Sequence, residues 1–146
     1  MIEVRRTTGA SSSAVWAVLS EGWFYASWVV GASRVRAVSP DWPAAGAVLH
    51  HSVGTWPLLL DDTTRVVSAT PASELVLQAG GWPLGEARVE LLLAPAKDGC
   101  CTITMREDAT VGLGKYIPRP VRLAAIFPRN DESLRRLAYL AERRSE

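Results

Sequence analysis

The chain has 146 residues, with 16 Lys or Arg against 15 Asp or Glu, and 48% of its residues are hydrophobic. This length suits one domain and is short for two, so we expect a single domain over residues 1–146. The near balance of charge gives no long-range field that would attract nucleic acid, so we expect no nucleic-acid partner.

The N-terminus and the cysteines bear on the compartment. The first residues mix acidic, basic and apolar side chains, without the apolar core of a signal peptide behind them. Uncharged runs such as residues 22–33 fall short of the roughly 20 apolar residues that cross a bilayer, so we expect no membrane insertion. Cys100 and Cys101 are adjacent, and neighbouring strand side chains point apart, which excludes an unstrained disulfide between them. We therefore expect a cytoplasmic protein.

The N-terminal third predicts one strand and two short helices. Residues 2–8 alternate apolar and polar side chains, which is typical of a strand. Ser11 to Ser13 offer N-cap oxygens, and apolar residues then follow at helical spacing until Gly22. The aromatic-rich residues 23–30 predict a second short helix.

Six further extended segments follow, separated by turns rich in Pro, Gly and Asp. They comprise residues 33–38, 47–53, 58–70, 75–78, 87–93 and 102–108. Short connections of this kind join antiparallel neighbours, because a parallel crossover needs a dozen or more residues. The sequence thus predicts one meandering antiparallel sheet of seven strands.

The C-terminal segment has the pattern of a long helix that covers this sheet. Asn130 is a candidate N-cap for it. The apolar stripe that follows consists of Leu134, Leu137, Ala138 and Ala141. Residues 119–127 are also helical in pattern, and Pro128 predicts a kink or break between the two pieces. The fold class is therefore α+β, with a closing helix on one face of the sheet.

Four segments carry a family resemblance: residues 13–20, 28–31 and 42–46, and the tail of residues 130–143. With the order of elements, they resemble the START-like (SRPBCC) superfamily, in particular its polyketide cyclase/dehydrase branch. The resemblance implies the helix-grip fold, also called START-like or Bet v 1-like. In that fold a curved seven-stranded antiparallel sheet wraps around a long C-terminal helix, and two short helices separate strands 1 and 2. It also implies a deep cavity between sheet and helix for lipids, sterols, polyketides or plant hormones.

The resemblance leaves the activity open, because some members are enzymes and others are carriers or receptors. No catalytic motif of the aromatase/cyclase enzymes matches here. The first hypothesis is binding of a small hydrophobic or aromatic ligand, lipid- or polyketide-like, without a reaction. The second is a cyclase or dehydratase that uses His51 and Glu107 as acid and base. The third is a protein-interaction module of the co-chaperone type. We expect no cofactor, and a monomer or homodimer.

Two polar residues interrupt the apolar side of the predicted sheet. If Leu49 and Val53 face inward, His51 faces inward too, as a general acid or base or as a hydrogen-bonded polar point in a pocket wall. Glu107 shares a face with Met105. A carboxylate there must be paired, wet or protonated, unless it lies beyond the covered part of the sheet. These two residues are the catalytic candidates.

Aromatic residues extend the list of binding candidates. Trp42, Trp56 and Trp82 each precede a proline, which is typical of strand ends where the ring covers a loop. Alternatively, Trp56 and Trp82 line a cavity mouth and stack on an aromatic ligand. Tyr116 is either a lid residue or an anchor of its loop. The predicted ligand-binding residues are Trp28, His51, Trp56, Trp82, Met105, Glu107, Tyr116 and Leu134.

A metal site is not expected. His50 and His51 are the only histidines, and as strand neighbours they point to opposite faces. No Cys or Asp lies at ligand spacing from either of them.

Overall fold

Seven antiparallel strands form one sheet in a computed structural model, which describes residues 1–54, 57–80 and 85–144. The strands are β1 Ile2–Thr8, β2 Ala32–Val38, β3 Val48–Val53, β4 Leu60–Thr70, β5 Glu74–Gly80, β6 Glu86–Pro95 and β7 Cys101–Val111. Their order is β1-β7-β6-β5-β4-β3-β2, so β2 to β7 form a meander and β1 pairs with β7 at the far edge. The predicted seven-stranded antiparallel sheet is confirmed.

The connection from β1 to β2 contains the predicted short helices. Helix α1 (Ser12–Ser20) is followed by a 3₁₀ turn (Gly22–Phe24) and helix α2 (Tyr25–Trp28). Helix α1 begins where the Ser11 side chain accepts a hydrogen bond from the backbone N–H of Ala14, which satisfies one of the free donors at the helix start. A Cβ at Gly22 would lie 2.6 Å from Cγ1 of Val38, so the close approach of this turn to β2 requires glycine.

Helix α3 runs without interruption from Arg119 to Arg144, with Pro128 inside it. The alternative of a break at Pro128 is therefore wrong. A proline removes one backbone hydrogen bond, and packing of the following turns against the sheet maintains the helix. The N-cap prediction for Asn130 is also wrong, because this residue lies in the helix interior with its side chain buried.

The core lies between the inner face of the sheet and the second half of α3. On the sheet, β6 and β7 alternate buried and more exposed residues, as the period of two requires. On α3, the buried residues are Asn130, Ser133, Leu134, Leu137, Ala138 and Ala141. Residues 119–129 contain none that is fully buried. Thus only the second half of the helix supplies buried apolar side chains to the sheet. Among the described residues, no helix is long and apolar enough to cross a membrane.

Replacing Leu137 by alanine tests the contribution of this half of α3. Leu137 is fully buried in the core, so Leu137→Ala should lower the free energy of unfolding by about 2–5 kcal/mol, through lost burial and the cavity left behind. Urea denaturation measures this change. Val121→Ala on the same helix is the control, because Val121 is 57% exposed and its truncation should change the free energy by about 0.5 kcal/mol or less. Equal effects of the two substitutions would contradict this packing.

Candidate functional site

A cavity of about 320 Å³ lies between the sheet and the part of α3 around Arg129. Its floor consists of buried side chains: Tyr25, Trp28, His51, Leu77, Val89, Met105, Glu107, Asn130 and Ser133. Its rim consists of more exposed residues from the turn before β2, the nearby ends of β3, β4 and β5, and Arg129. This volume is at the lower end of the roughly 300–1,000 Å³ that small-molecule sites occupy.

Three polar side chains connect α2 to the sheet beneath this cavity. The hydroxyl of Tyr25 lies 3.2 Å from Oγ1 of Thr64, and the same oxygen lies 2.9 Å from Nε2 of His51. The rings of Tyr25 and His51 pack with centroids 5.2 Å apart. All three residues are buried, so their polar hydrogens need acceptors inside the protein.

We assign the tautomer of His51 from these two hydrogen bonds. We assign Tyr25 as donor to Thr64, and Thr64 as donor to Nε2 of His51, because every hydroxyl hydrogen then has an acceptor. The opposite direction would leave the Tyr25 hydroxyl hydrogen without an acceptor among the described residues. In the assigned direction, Nδ1 of His51 carries a hydrogen, and this nitrogen has no partner in the described part of the chain.

Burial keeps His51 neutral. It lowers the pKa of His51 below the ordinary value, and the charge of Asp62 and the backbone of Thr63 offset this only in part. Burial also raises the pKa of Tyr25, whose hydroxyl therefore stays protonated. The floor thus presents a neutral imidazole near pH 7.

Glu107 forms a close ion pair with Arg129 at the other side of the floor. Nη2 of Arg129 donates to both carboxylate oxygens of Glu107, at 2.6 and 2.8 Å. The side chain of Glu107 is 6% exposed and that of Arg129 is 42% exposed. Burial raises the pKa of Glu107, although the charge of Arg129 and the amide of Asn130 act in the opposite direction. The carboxylate on the apolar side of β7 is therefore paired.

Asn130 brings an unused donor to the same place. Its Oδ1 accepts a hydrogen bond of 3.3 Å from Nε of Arg129. Its Nδ2 lies close enough to Glu107 to influence that pKa, but it is not aligned for a hydrogen bond with any acceptor in the described residues. One turn later, Oγ of Ser133 accepts a hydrogen bond from the backbone N–H of Val30, which holds the rim against α3.

A second cavity of about 150 Å³ lies on the other side of the ion pair. Both cavities are lined by Ala79, Gly80, Glu107 and Arg129. The remaining wall of the second cavity includes Ile117 and Ile126. The Glu107–Arg129 pair therefore separates two spaces that are adjacent.

The structure brings together half of the predicted binding residues. Trp28, His51, Met105 and Glu107 line the first cavity. Trp56 and Trp82 lie outside the described residues.

Leu134 and Tyr116 do not line the cavity. Leu134 lies one turn beyond Asn130 and is fully buried in the core. Tyr116 is 74% exposed in a 3₁₀ turn before α3. All four residues of the predicted stripe, Leu134, Leu137, Ala138 and Ala141, are buried, and none of them lines the cavity, whose wall takes Arg129, Asn130 and Ser133 from α3.

Several site residues were not predicted. Tyr25, Thr64, Arg129 and Ser133 contact or line the cavity through partners distant in sequence. The available signals were a threonine at an inward position of β4 and a basic residue directly before Asn130. In the described part of the chain, no group of three His, Cys, Asp or Glu residues could hold a metal ion.

No protein-family model and no curated protein matches this sequence. Solved structures match its fold. The Zhui aromatase/cyclase from Streptomyces sp. R1128 is 19% identical, with a TM-score of 0.68 over 99% of this chain and 94% of that chain. A conserved protein from Geobacillus kaustophilus is 13% identical, with a TM-score of 0.74 over 97% and 94% of the two chains.

The di-domain ARO/CYC StfQ from the steffimycin biosynthetic pathway is also similar. It is 14% identical, with a TM-score of 0.73, and the match covers 99% of this chain and 51% of StfQ. The chain thus spans about half the length of StfQ. These likenesses show that the chain has the START-like helix-grip fold, as the resemblance implied.

The neutral state of His51 predicts a pH-dependent contribution to stability. Because its pKa is lowered in the folded state, His51 stabilises the fold above its unfolded pKa of about 6.5, and this contribution is lost as pH falls. Glu107, whose pKa is raised, acts in the opposite direction, so the effect of His51 is isolated by comparing variants. The free energy of unfolding of His51→Gln should fall less than that of the wild type between pH 7.5 and 5.5.

His50→Gln is the matched control. His50 is exposed on the same strand, so this variant should retain the wild-type pH dependence. Urea denaturation at several pH values measures both. A wild-type slope that survives in His51→Gln would contradict the assignment.

Proposed function

We propose that the chain binds a small hydrophobic or aromatic molecule, lipid- or polyketide-like, in the 320 Å³ cavity and does not transform it. The observation that carries this proposal is the composition of the floor. Apolar and aromatic side chains from the sheet and α2 surround His51 and Asn130, each with a buried nitrogen that has no hydrogen-bond partner among the described residues. This combination is typical of small-molecule sites, where polar groups orient an otherwise apolar ligand.

The free polar atoms indicate what such a ligand supplies. An unpartnered buried donor costs about 1–3 kcal/mol. Nδ1 of His51 and Nδ2 of Asn130 are two such atoms, and both residues are on the cavity floor. A ligand oxygen that accepts hydrogen bonds from them would remove this cost. This chain shares its fold with two proteins described as aromatase/cyclases, and this likeness supports a polyketide-like ligand.

An enzymatic role is the second candidate, and one observation favours it. His51 and Glu107, the predicted acid and base, line the same cavity. However, Arg129 holds both oxygens of Glu107, which leaves His51 as the candidate with an unengaged atom. Proton transfer by both residues would require the ion pair to open first, so binding is the better-supported function. The cavity gives no support to the protein-interaction hypothesis.

Filling the cavity should weaken binding of an apolar probe. N-phenylnaphthylamine is a neutral aromatic amine whose fluorescence rises in apolar surroundings. Ala79 lines both cavities, so Ala79→Phe should weaken binding of this probe at least tenfold, because the larger ring occupies the ligand space. Fluorescence titration measures the dissociation constant. Ala94→Phe is the control, because Ala94 is exposed on the neighbouring strand β6. This variant should bind the probe with the affinity of the wild type.

Native mass spectrometry of freshly purified protein provides an independent test. A retained molecule should appear as a discrete added mass in the wild type and be lost from Ala79→Phe. If the wild type neither retains a molecule nor binds the probe, the proposed function is wrong. Conversion of the retained molecule by the wild type, lost in His51→Gln with binding intact, would instead establish the enzymatic role.

A further inference from the structure

The geometry points to Glu107 as an internal anion that occupies Arg129 until an anionic group of the ligand takes its place. This inference rests on the proposed function and names the ligand class. The ligand would have an apolar or aromatic body and one anionic oxygen group, such as a carboxylate, a phenolate or an enolate. Its anionic group would bind Arg129, and Glu107 would be released.

The donors on the floor are the first reason. Arg129 contributes a guanidinium, Asn130 a side-chain amide close to Glu107, and His51 a ring whose Nδ1 has no aligned partner among the described residues. Among the described lining residues, Glu107 is the only negatively charged side chain that faces them in the first cavity. A site with several donors and one internal carboxylate is suited to an oxygen anion in the position of that carboxylate.

The exposure of the two partners is the second reason. The side chain of Arg129 reaches the rim and is 42% exposed, whereas that of Glu107 is 6% exposed. A ligand can therefore approach the guanidinium from the cavity without first unfolding the helix. The guanidinium stays partly hydrated throughout, which lowers the cost of changing its partner.

Space on both sides of the pair is the third reason. The cavities of about 320 and 150 Å³ share Ala79, Gly80, Glu107 and Arg129. Ala79, with its small side chain, leaves room beside the carboxylate. A released Glu107 side chain can thus turn toward the second cavity while the ligand anion enters from the first.

The exchange should be accompanied by proton uptake, because the buried charges must stay balanced. When the ligand anion neutralises Arg129, Glu107 loses its partner in a buried site and takes up one proton from solvent. The other ionisable groups that line the first cavity are Tyr25 and His51, both neutral near pH 7, and the charge of Asp62 on β4 acts on both of them. Those of the second are Glu86, which accepts a hydrogen bond from Gln78, and Arg122, which pairs with Asp108. Anion binding should therefore take up close to one proton.

Two fluorescent probes that differ by one anionic group test the exchange. Anilinonaphthalene sulfonate carries a sulfonate on the same aromatic framework that N-phenylnaphthylamine presents without it. In the wild type, affinity for the sulfonate probe should fall as pH rises from 6 to 8, by at most tenfold per pH unit for one proton. Affinity for the neutral probe should stay within threefold. Calorimetry in two buffers of different ionisation enthalpy measures the proton uptake directly.

Substitutions of Glu107 and Arg129 should have opposite effects on binding of the sulfonate probe. Glu107→Gln frees Arg129 and should raise affinity for the sulfonate probe at least tenfold, and the pH dependence should disappear. Arg129→Gln should lower that affinity at least tenfold. Each substitution should change the affinity for the sulfonate probe by a larger factor than the affinity for the neutral probe. Arg135→Gln is the control for surface charge, since Arg135 lies on the exposed face of α3 and should change neither probe's affinity.

The outcomes distinguish this inference from the function on which it rests. The exchange would be overturned if the wild type bound the neutral probe, took up no proton on binding the sulfonate probe, and both probes responded alike to the substitutions. That result would leave the proposed ligand site intact. Absence of neutral-probe binding would overturn both. If Glu107→Gln does not fold, the proton uptake and the pH dependence of the wild type decide the matter, because a fixed ion pair would show neither.

Discussion

The inner face of the sheet must be covered, and α3 covers it with buried apolar side chains along only half of its length. From Leu134 to Ala141 the helix provides an apolar stripe, and each fully buried leucine contributes about 2 kcal/mol of burial. Between Arg119 and Arg129 no residue is fully buried. The cavity lies at Arg129 and Asn130, where the exposed half of the helix meets the half that supplies buried side chains. Its position therefore follows from the pattern of residues on one helix.

The polar groups at this transition are not explained by stability. A buried ion pair is on average no better than well-packed apolar residues, because desolvation offsets its attraction. The unpartnered nitrogens of His51 and Asn130 add a further cost. Energetic costs of this kind are concentrated at functional sites, where the residue types present differ from those that would give the most stable fold. The remainder of the inner face, by contrast, is largely aliphatic.

The fold was predictable because its determinants are local. Alternation along β6, the serine N-cap of α1 and the turn residues each act within about ten positions, and they were sufficient to place all seven strands and both short helices. The inward direction of His51 and Glu107 followed from the same alternation. The predictions were wrong where one residue type is compatible with two structural positions. Asn130 has the side chain of an N-cap, yet it serves as a buried polar group in the middle of a helix.

The partners of the site residues were not predictable, because they come from distant parts of the sequence. Tyr25 meets Thr64 from 39 positions away, and Glu107 meets Arg129 from 22 positions away. Neither pair follows a spacing rule of helix or strand. Their meeting depends on how α2 and α3 lie across the sheet, which local periodicity does not specify.

These long-range pairs also connect the two candidate functions. In the structure, Glu107 is a carboxylate held by Arg129, and His51 is a neutral imidazole on the same floor. If a ligand anion displaces Glu107, the released carboxyl becomes protonated, and a neutral carboxylic acid then lies beside the cavity that contains a neutral imidazole. That is the protonation state that general acid–base catalysis requires of such a pair. Opening of the ion pair therefore precedes both anion binding and any proton transfer by Glu107, and the two functions become successive uses of one arrangement.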